Sequence, residues 1–174
     1  MQVKDVIADR PDVLFVGINP GLTSGRVGHH FAGPGNPFYR LLHAAGFTPI
    51  ELAAADDQRL AEWRLALVNL CNRTTRTAAE LTRAELVRGR RALEQKVRAM
   101  QPTLVALVGV TLYPIAIDAP RAERVPGPGE KPQRFAGARV FVLPNPSGLN
   151  ASFPSFAAKL VWFEQLAALV RFEC

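Results

Sequence analysis

Two asparagines stand where a polar side chain could do chemistry. Each follows an apolar run and precedes proline, with glycine within the next two residues. The runs are Val13-Leu14-Phe15-Val16-Gly17-Ile18-Asn19-Pro20-Gly21 and Val140-Phe141-Val142-Leu143-Pro144-Asn145-Pro146-Ser147-Gly148-Leu149. Proline disfavours the α region for the residue before it, so Asn19 and Asn145 are expected in extended backbone at or just past a strand end. Amides there project from the rim of a sheet, where α/β proteins do their chemistry, and the pair points to one site built from two loops. An amide offers one acceptor and two donors but takes no proton at neutral pH. Asn19 could therefore hold and orient a water, yet not act as a strong general base.

Gly17 and Gly21 are expected to let the first corner turn tightly and let a ligand approach the main chain. Two familiar nucleotide loops are excluded. A Walker loop needs Gly-Lys-Ser/Thr, and a dinucleotide fingerprint needs G-x-G-x-x-G; this corner has neither.

The elements that must hold these corners alternate. Apolar runs at 13–18, 65–70, 103–108 and 139–143 are continuous rather than alternating, which suits strands buried on both faces. Helical patterns fall at 36–45, 82–100, 112–117 and 155–172, the last with Phe156, Leu160, Phe163, Ala167 and Val170 on one face. Such alternation predicts a parallel sheet between helical layers. The stretch 121–133 carries Pro126, Pro128, Pro132, Gly127 and Gly129 among charged residues, and reads as an exposed irregular loop without function.

With 174 residues, 48% of them hydrophobic, the chain is expected to form one domain over 1–174 with a full core. The longest apolar stretches are too short to span a bilayer, and the first residues lack a signal-peptide layout, so a soluble cytoplasmic protein is expected. Cys71 and Cys174 share no ligand spacing with each other or with the three histidines, which argues against a metal site. Cys71 reads as buried or pocket-lining, Cys174 as a loose thiol. The net charge of +6 weakly favours a polyanionic partner, although a merely solvated basic face starts ahead.

The corners and the residues between them resemble a known family. Gly17-Ile18-Asn19-Pro20-Gly21-Leu22, Phe31-Ala32, Pro34, Asn36 and Ala45-Gly46-Phe47-Thr48 are similar to the first block of the mismatch-specific uracil–DNA glycosylases, within the uracil–DNA glycosylase superfamily. Leu143-Pro144-Asn145-Pro146-Ser147-Gly148-Leu149 resembles their second motif. Arg73-Thr74, Gly89-Arg90-Arg91, Gln101-Pro102 and Leu107-Val108-Gly109 fall between in the expected order.

The resemblance implies a three-layer α/β/α sandwich with a short, mainly parallel central sheet. It implies a monofunctional glycosylase that flips uracil, and related damaged bases, out of mismatched duplex DNA, chiefly G·U, and hydrolyses the N-glycosidic bond. No cofactor, metal or membrane is expected; a monomer acting on double-stranded DNA in the bacterial cytosol or nucleoid is expected. Asn19 takes the water-positioning role, with Gly17, Ile18, Pro20, His30 and Phe31 forming the base pocket. Backbone N–H groups near Ile18 and Phe31 would stabilise the departing base anion. Phe31 would stack on the flipped base, the alternative being an ordinary core phenylalanine. Asn145, Pro146, Ser147, Gly148, Leu149 and Asn150 would form the DNA-binding loop. Leu149 would be the wedge that fills the vacated stack, the alternative being a staple onto Phe153 or Phe156.

His29-His30 depart from the pattern of close relatives before the aromatic. They could hydrogen-bond a base edge or line a solvated loop mouth, the latter favoured. Asn150 replaces a small hydroxyl residue common after the wedge. Arg73, Arg76, Arg88, Arg90 and Arg91 are candidates for phosphate contact, none singled out. Two other classes compete: a DNA mismatch or abasic-site binder with weak catalysis, and a nucleoside or nucleotide hydrolase using the pocket without a duplex.

Overall fold

The computed structural model describes residues 2–117, 127–147 and 152–171. Strand β1 (Val13–Gly17) leads into a short helix α1 (Leu22–Val27) and then α2 (Phe38–Ala44). A kinked 3₁₀ stretch (Ala54–Trp63) precedes β2 (Leu65–Asn69), and α3 (Arg83–Met100) precedes β3 (Leu104–Val108). After α4 (Tyr113–Ala116) come β4 (Gly129–Phe135), β5 (Ala138–Leu143) and α5 (Phe156–Arg171).

The five strands run β2-β1-β3-β5-β4, every pair parallel except β4 with β5. All five residues of β1, β2 and β3 are buried, as their uninterrupted apolar runs predict. Alternate residues point to opposite layers. Leu14, Val16, Val105 and Val140 pack with Leu93 and Val97 of α3 on one face. Val13, Phe15 and Phe141 pack with Phe38 and Leu41 of α2 and Phe163 of α5 on the other. Phe15 and Phe163 both meet Phe38 edge-on, with ring centres 5.6 and 6.4 Å apart. The architecture is a mixed α/β sandwich with a mostly parallel sheet between helices.

Local chemistry fixes several boundaries. Thr82 and Glu85 close a reciprocal capping box at the start of α3: the Glu85 N–H donates to Thr82 Oγ1 at 3.2 Å, and the Thr82 N–H donates to Glu85 Oε2 at 2.7 Å. At the outer edge of β2, Val6 exchanges both backbone hydrogen bonds with Leu67, covering part of an otherwise open strand.

One expectation is overturned. Residues 129–133 do not form an irregular loop but the first part of edge strand β4, with Lys131 and Phe135 turned inward. An edge tolerates Pro132, whose missing N–H can face outward, and the register with β5 is irregular between Lys131 and Phe135. Residues 121–126 lie outside the described residues. Among the described residues, no helix is long and apolar enough to cross a membrane.

Candidate active site

β1 lies between β2 and β3, so the chain leaves it in one direction and returns on the other side. Loops diverge at such a switch point and leave a crevice beyond the carboxyl ends of the strands. A cleft of about 420 Å³ lies there. Its walls come from the end of β1 and the residues beyond it (Gly17 to Ser24), from the end of β2 and beyond (Asn69, Thr75, Arg76) and from after β5 (Asn145, Ser147), with His30 and Phe31 beside them. The two asparagine corners therefore meet in one cleft, as their positions past strand ends require.

Asn19 is half-buried and its orientation is set by its neighbours. Its Nδ2 donates to Thr75 Oγ1 at 2.7 Å and to the Arg73 carbonyl at 2.9 Å, with a longer contact of 3.3 Å to the Pro20 carbonyl. Thr75 gives its own hydroxyl proton to the Thr77 carbonyl at 2.8 Å, so its oxygen faces Asn19 as an acceptor. Three acceptors around one nitrogen leave only one way to place the amide. Its oxygen is left to accept from whatever occupies the cleft.

Phe31 lines the same cleft with a backbone φ of 50°, a conformation that bulky residues rarely adopt. Hydrogen bonds on both sides impose it. The His30 N–H donates to the buried Asp57 carboxylate at 3.0 Å, Tyr39 Oη donates to the His30 carbonyl at 2.6 Å, and the Ala32 N–H donates to Ser24 Oγ at 3.0 Å. Burial, with the Asp57 charge nearby, pushes the Tyr39 hydroxyl far above its usual range, so it stays a donor. The Phe31 ring stacks on Phe38 at 4.2 Å between centres and an interplanar angle of 30°. Phe31 therefore rests partly on the core and also lines the cleft.

His30 corrects the expectation of a solvated loop mouth. It is 2% exposed, and burial lowers its pKa against the opposing pull of the Lys4 carbonyl and Asp57. Its Nε2 lies 2.9 Å from the Lys4 carbonyl, and its Nδ1 lies 3.5 Å from Asn69 Nδ2. His29 is one-third exposed and its Nδ1 lies 3.2 Å from Asp57 Oδ1, so Asp57 holds both halves of the pair. Gly17 is needed for space rather than for a turn: a Cβ there would lie 2.6 Å from Asn69 Oδ1. Gly25 likewise lets α1 approach Thr74, whose side chain would overlap a Cβ.

The second corner contributes unequally. Asn145 and Ser147 line the cleft, with the Ser147 N–H donating to Asn145 Oδ1 at 3.0 Å, while Pro146 is buried behind them. Gly148, Leu149 and Asn150, expected to continue this loop, lie outside the described residues. Arg73, half-exposed, donates to both Glu85 oxygens (2.6 and 3.1 Å) and to the Glu80 carbonyl. Arg76 lines the cleft itself.

Sequence reasoning missed Asn69, Thr75, Ser24 and Asp57. For Asn69 a signal existed: it is the polar end of an apolar strand, as Asn19 nearly is. Thr75 and Asp57 act across the fold, and no local pattern marks them.

The profile of the uracil DNA glycosylase superfamily matches residues 4–167. The chain belongs to that superfamily. The fold is also similar to the solution NMR structure of a candidate uracil DNA glycosylase from Methanosarcina acetivorans. The TM-score is 0.64 at 21% identity, over 97% of this chain and 96% of that one. Within the uracil DNA glycosylase superfamily frame, the Asn19 cleft is the candidate active site.

Proposed function

We propose that this protein is a DNA glycosylase, acting as one domain, that flips uracil out of mismatched duplex DNA, chiefly G·U, and excises it by hydrolysis. The observation that carries this reading is the clamped Asn19 amide, whose oxygen is left for the cleft that Phe31 also lines.

In this reading the flipped base lies against Phe31, and Asn69 on the cleft wall meets its polar edge. Asn19 Oδ1 accepts a hydrogen bond from a water and aims its oxygen at C1′. The C1′–N1 bond breaks with its electron pair leaving on uracil, an anion delocalised over two carbonyls. Backbone N–H groups of Ile18 and Phe31 stabilise that charge. The water oxygen then bonds to the cationic C1′ and releases its proton to solvent. The amide never takes that proton, so the departing base supplies most of the driving force. Asn145 and Ser147 hold the DNA backbone, and Leu149 fills the vacated stack.

A labelled duplex with one G·U pair tests the reading. Incubation is expected to leave an abasic site that alkali cleaves. No abasic product at high protein excess, across several mismatches and modified bases, would overturn it. A panel with uracil, thymine and etheno bases opposite each partner defines the range.

A further inference from the structure

The two ends of an amide have nearly the same shape, so Asn69 could offer a bound base either its oxygen or its NH₂ group. We propose that His30 decides which: its proton is held on Nε2 by the Lys4 carbonyl, and its bare Nδ1 turns the Asn69 NH₂ inward and the Asn69 oxygen toward the base. The inference rests on the glycosylase reading and makes His30 a positioning residue for base selectivity.

Lys4 sets the tautomer of His30. A backbone carbonyl only accepts, so the 2.9 Å contact requires a proton on His30 Nε2. A neutral imidazole has one N–H, which leaves Nδ1 as an acceptor facing Asn69 Nδ2 at 3.5 Å. Reversing the Asn69 amide would set its oxygen against the Nδ1 lone pair. In the orientation found, the oxygen lies over Gly17 at the floor of the cleft, where only glycine leaves it room.

An outward oxygen accepts the imide N3–H of uracil, and the second Nδ2 hydrogen can donate to O4. Cytosine offers the opposite pattern, an acceptor at N3 and a donor at N4. Protonating His30 would reverse the preference. Nδ1–H would then donate to the Asn69 oxygen, and NH₂ would face the base. The charged and titratable groups around His30 are Asp57 on the 3₁₀ stretch, Asp5 beside Lys4, His29 in the same loop and Tyr39 on α2. Burial outweighs the carboxylates and keeps the ring neutral near pH 7, so the reversal belongs below pH 6.5.

Two measurements test this. Imidazole ¹⁵N–¹H spectra of the intact protein near pH 7.5 are expected to show His30 as the Nε2–H tautomer; an Nδ1–H tautomer overturns the proposal. Binding is then compared for duplexes carrying 2′-fluoroarabino-uridine or -cytidine opposite an abasic analogue. The fluorine blocks cleavage by destabilising a cation at C1′, and neither base has a partner to lose. His30→Gln can keep a donor for Lys4 but offers no acceptor at the Nδ1 position, and should narrow the uracil preference by about tenfold, the scale of one hydrogen bond. His30→Asn restores an acceptor near that position and should keep the preference while losing its decline below pH 6.5. An unchanged preference in both variants overturns the proposal, as does a parallel loss in both that follows melting temperature. If the wild-type protein excises no uracil from a G·U duplex, the parent reading fails; if it does while the ratio stays fixed, only this inference fails.

Discussion

At the scale of single residues, the catalytic proposal depends on one amide held by acceptors from elsewhere in the chain. Asn19→Ala removes the water's partner and is expected to lower single-turnover excision at least about a hundredfold. Duplex binding, followed by gel mobility, should stay near wild type, because phosphate contacts lie on other residues. Thr75→Val tests the clamp instead of the amide. It removes the acceptor at 2.7 Å and the buried hydroxyl's bond to Thr77, and is expected to cost about 1 kcal/mol of stability and about tenfold in rate. Phe31→Ala should weaken capture of the flipped base by about 1–3 kcal/mol, read as kcat/KM on G·U duplexes. Its φ of 50° means that Phe31→Gly loses the ring while relieving the backbone, and should be the more stable of the two variants.

At the scale of elements, legibility followed hydrophobic pattern. β1, β2, β3 and β5 were readable because each is a run of Val, Leu, Ala and Phe buried on both sides. α3 was readable from its helical pattern over 82–100, and the structure added the Thr82–Glu85 capping box at its start. Thr82→Ala breaks that capping box and is expected to cost about 1 kcal/mol, seen as a fall of about 2–4 °C in melting temperature. α1 was not readable: Leu-Thr-Ser-Gly-Arg-Val has no helical apolar period, and Gly25 serves a close approach to Thr74. β4 was hidden because Pro132 and the charges around it are those of a loop, and only pairing with β5 makes it a strand.

For the molecule as a whole, pH should report on two internal contacts. Arg73 holds Glu85 down to about 2, with the Thr82 backbone N–H helping, so the unfolded chain binds this proton first as pH falls. The contribution of Glu85 is full above the ordinary 4.5 and is lost between there and about 2. His30 is also depressed, by burial, so the unfolded state takes up its proton more readily and stability starts to fall below 6.5. Calorimetry across pH should show both declines, with Glu85→Gln removing the lower one and His30→Asn the upper. A basic chain that grips several phosphates should also bind duplex more weakly with added salt, as a linear fall of log K against log salt concentration. A flat response would mean that the +6 charge is not the DNA footprint.

The sequence by itself determined the layers of the sheet and the two corners, because burial on both faces and the restraint before proline are written in adjacent residues. Asn19 and Asn145 stood out for that reason. Tertiary structure decided which way the Asn19 amide points, since Thr75 and the Arg73 carbonyl come from after β2. It also decided that His30 is buried, since Lys4 and Asp57 close over it from either side. Orientation and proton position depend on partners distant in the chain, and no local spacing encodes them.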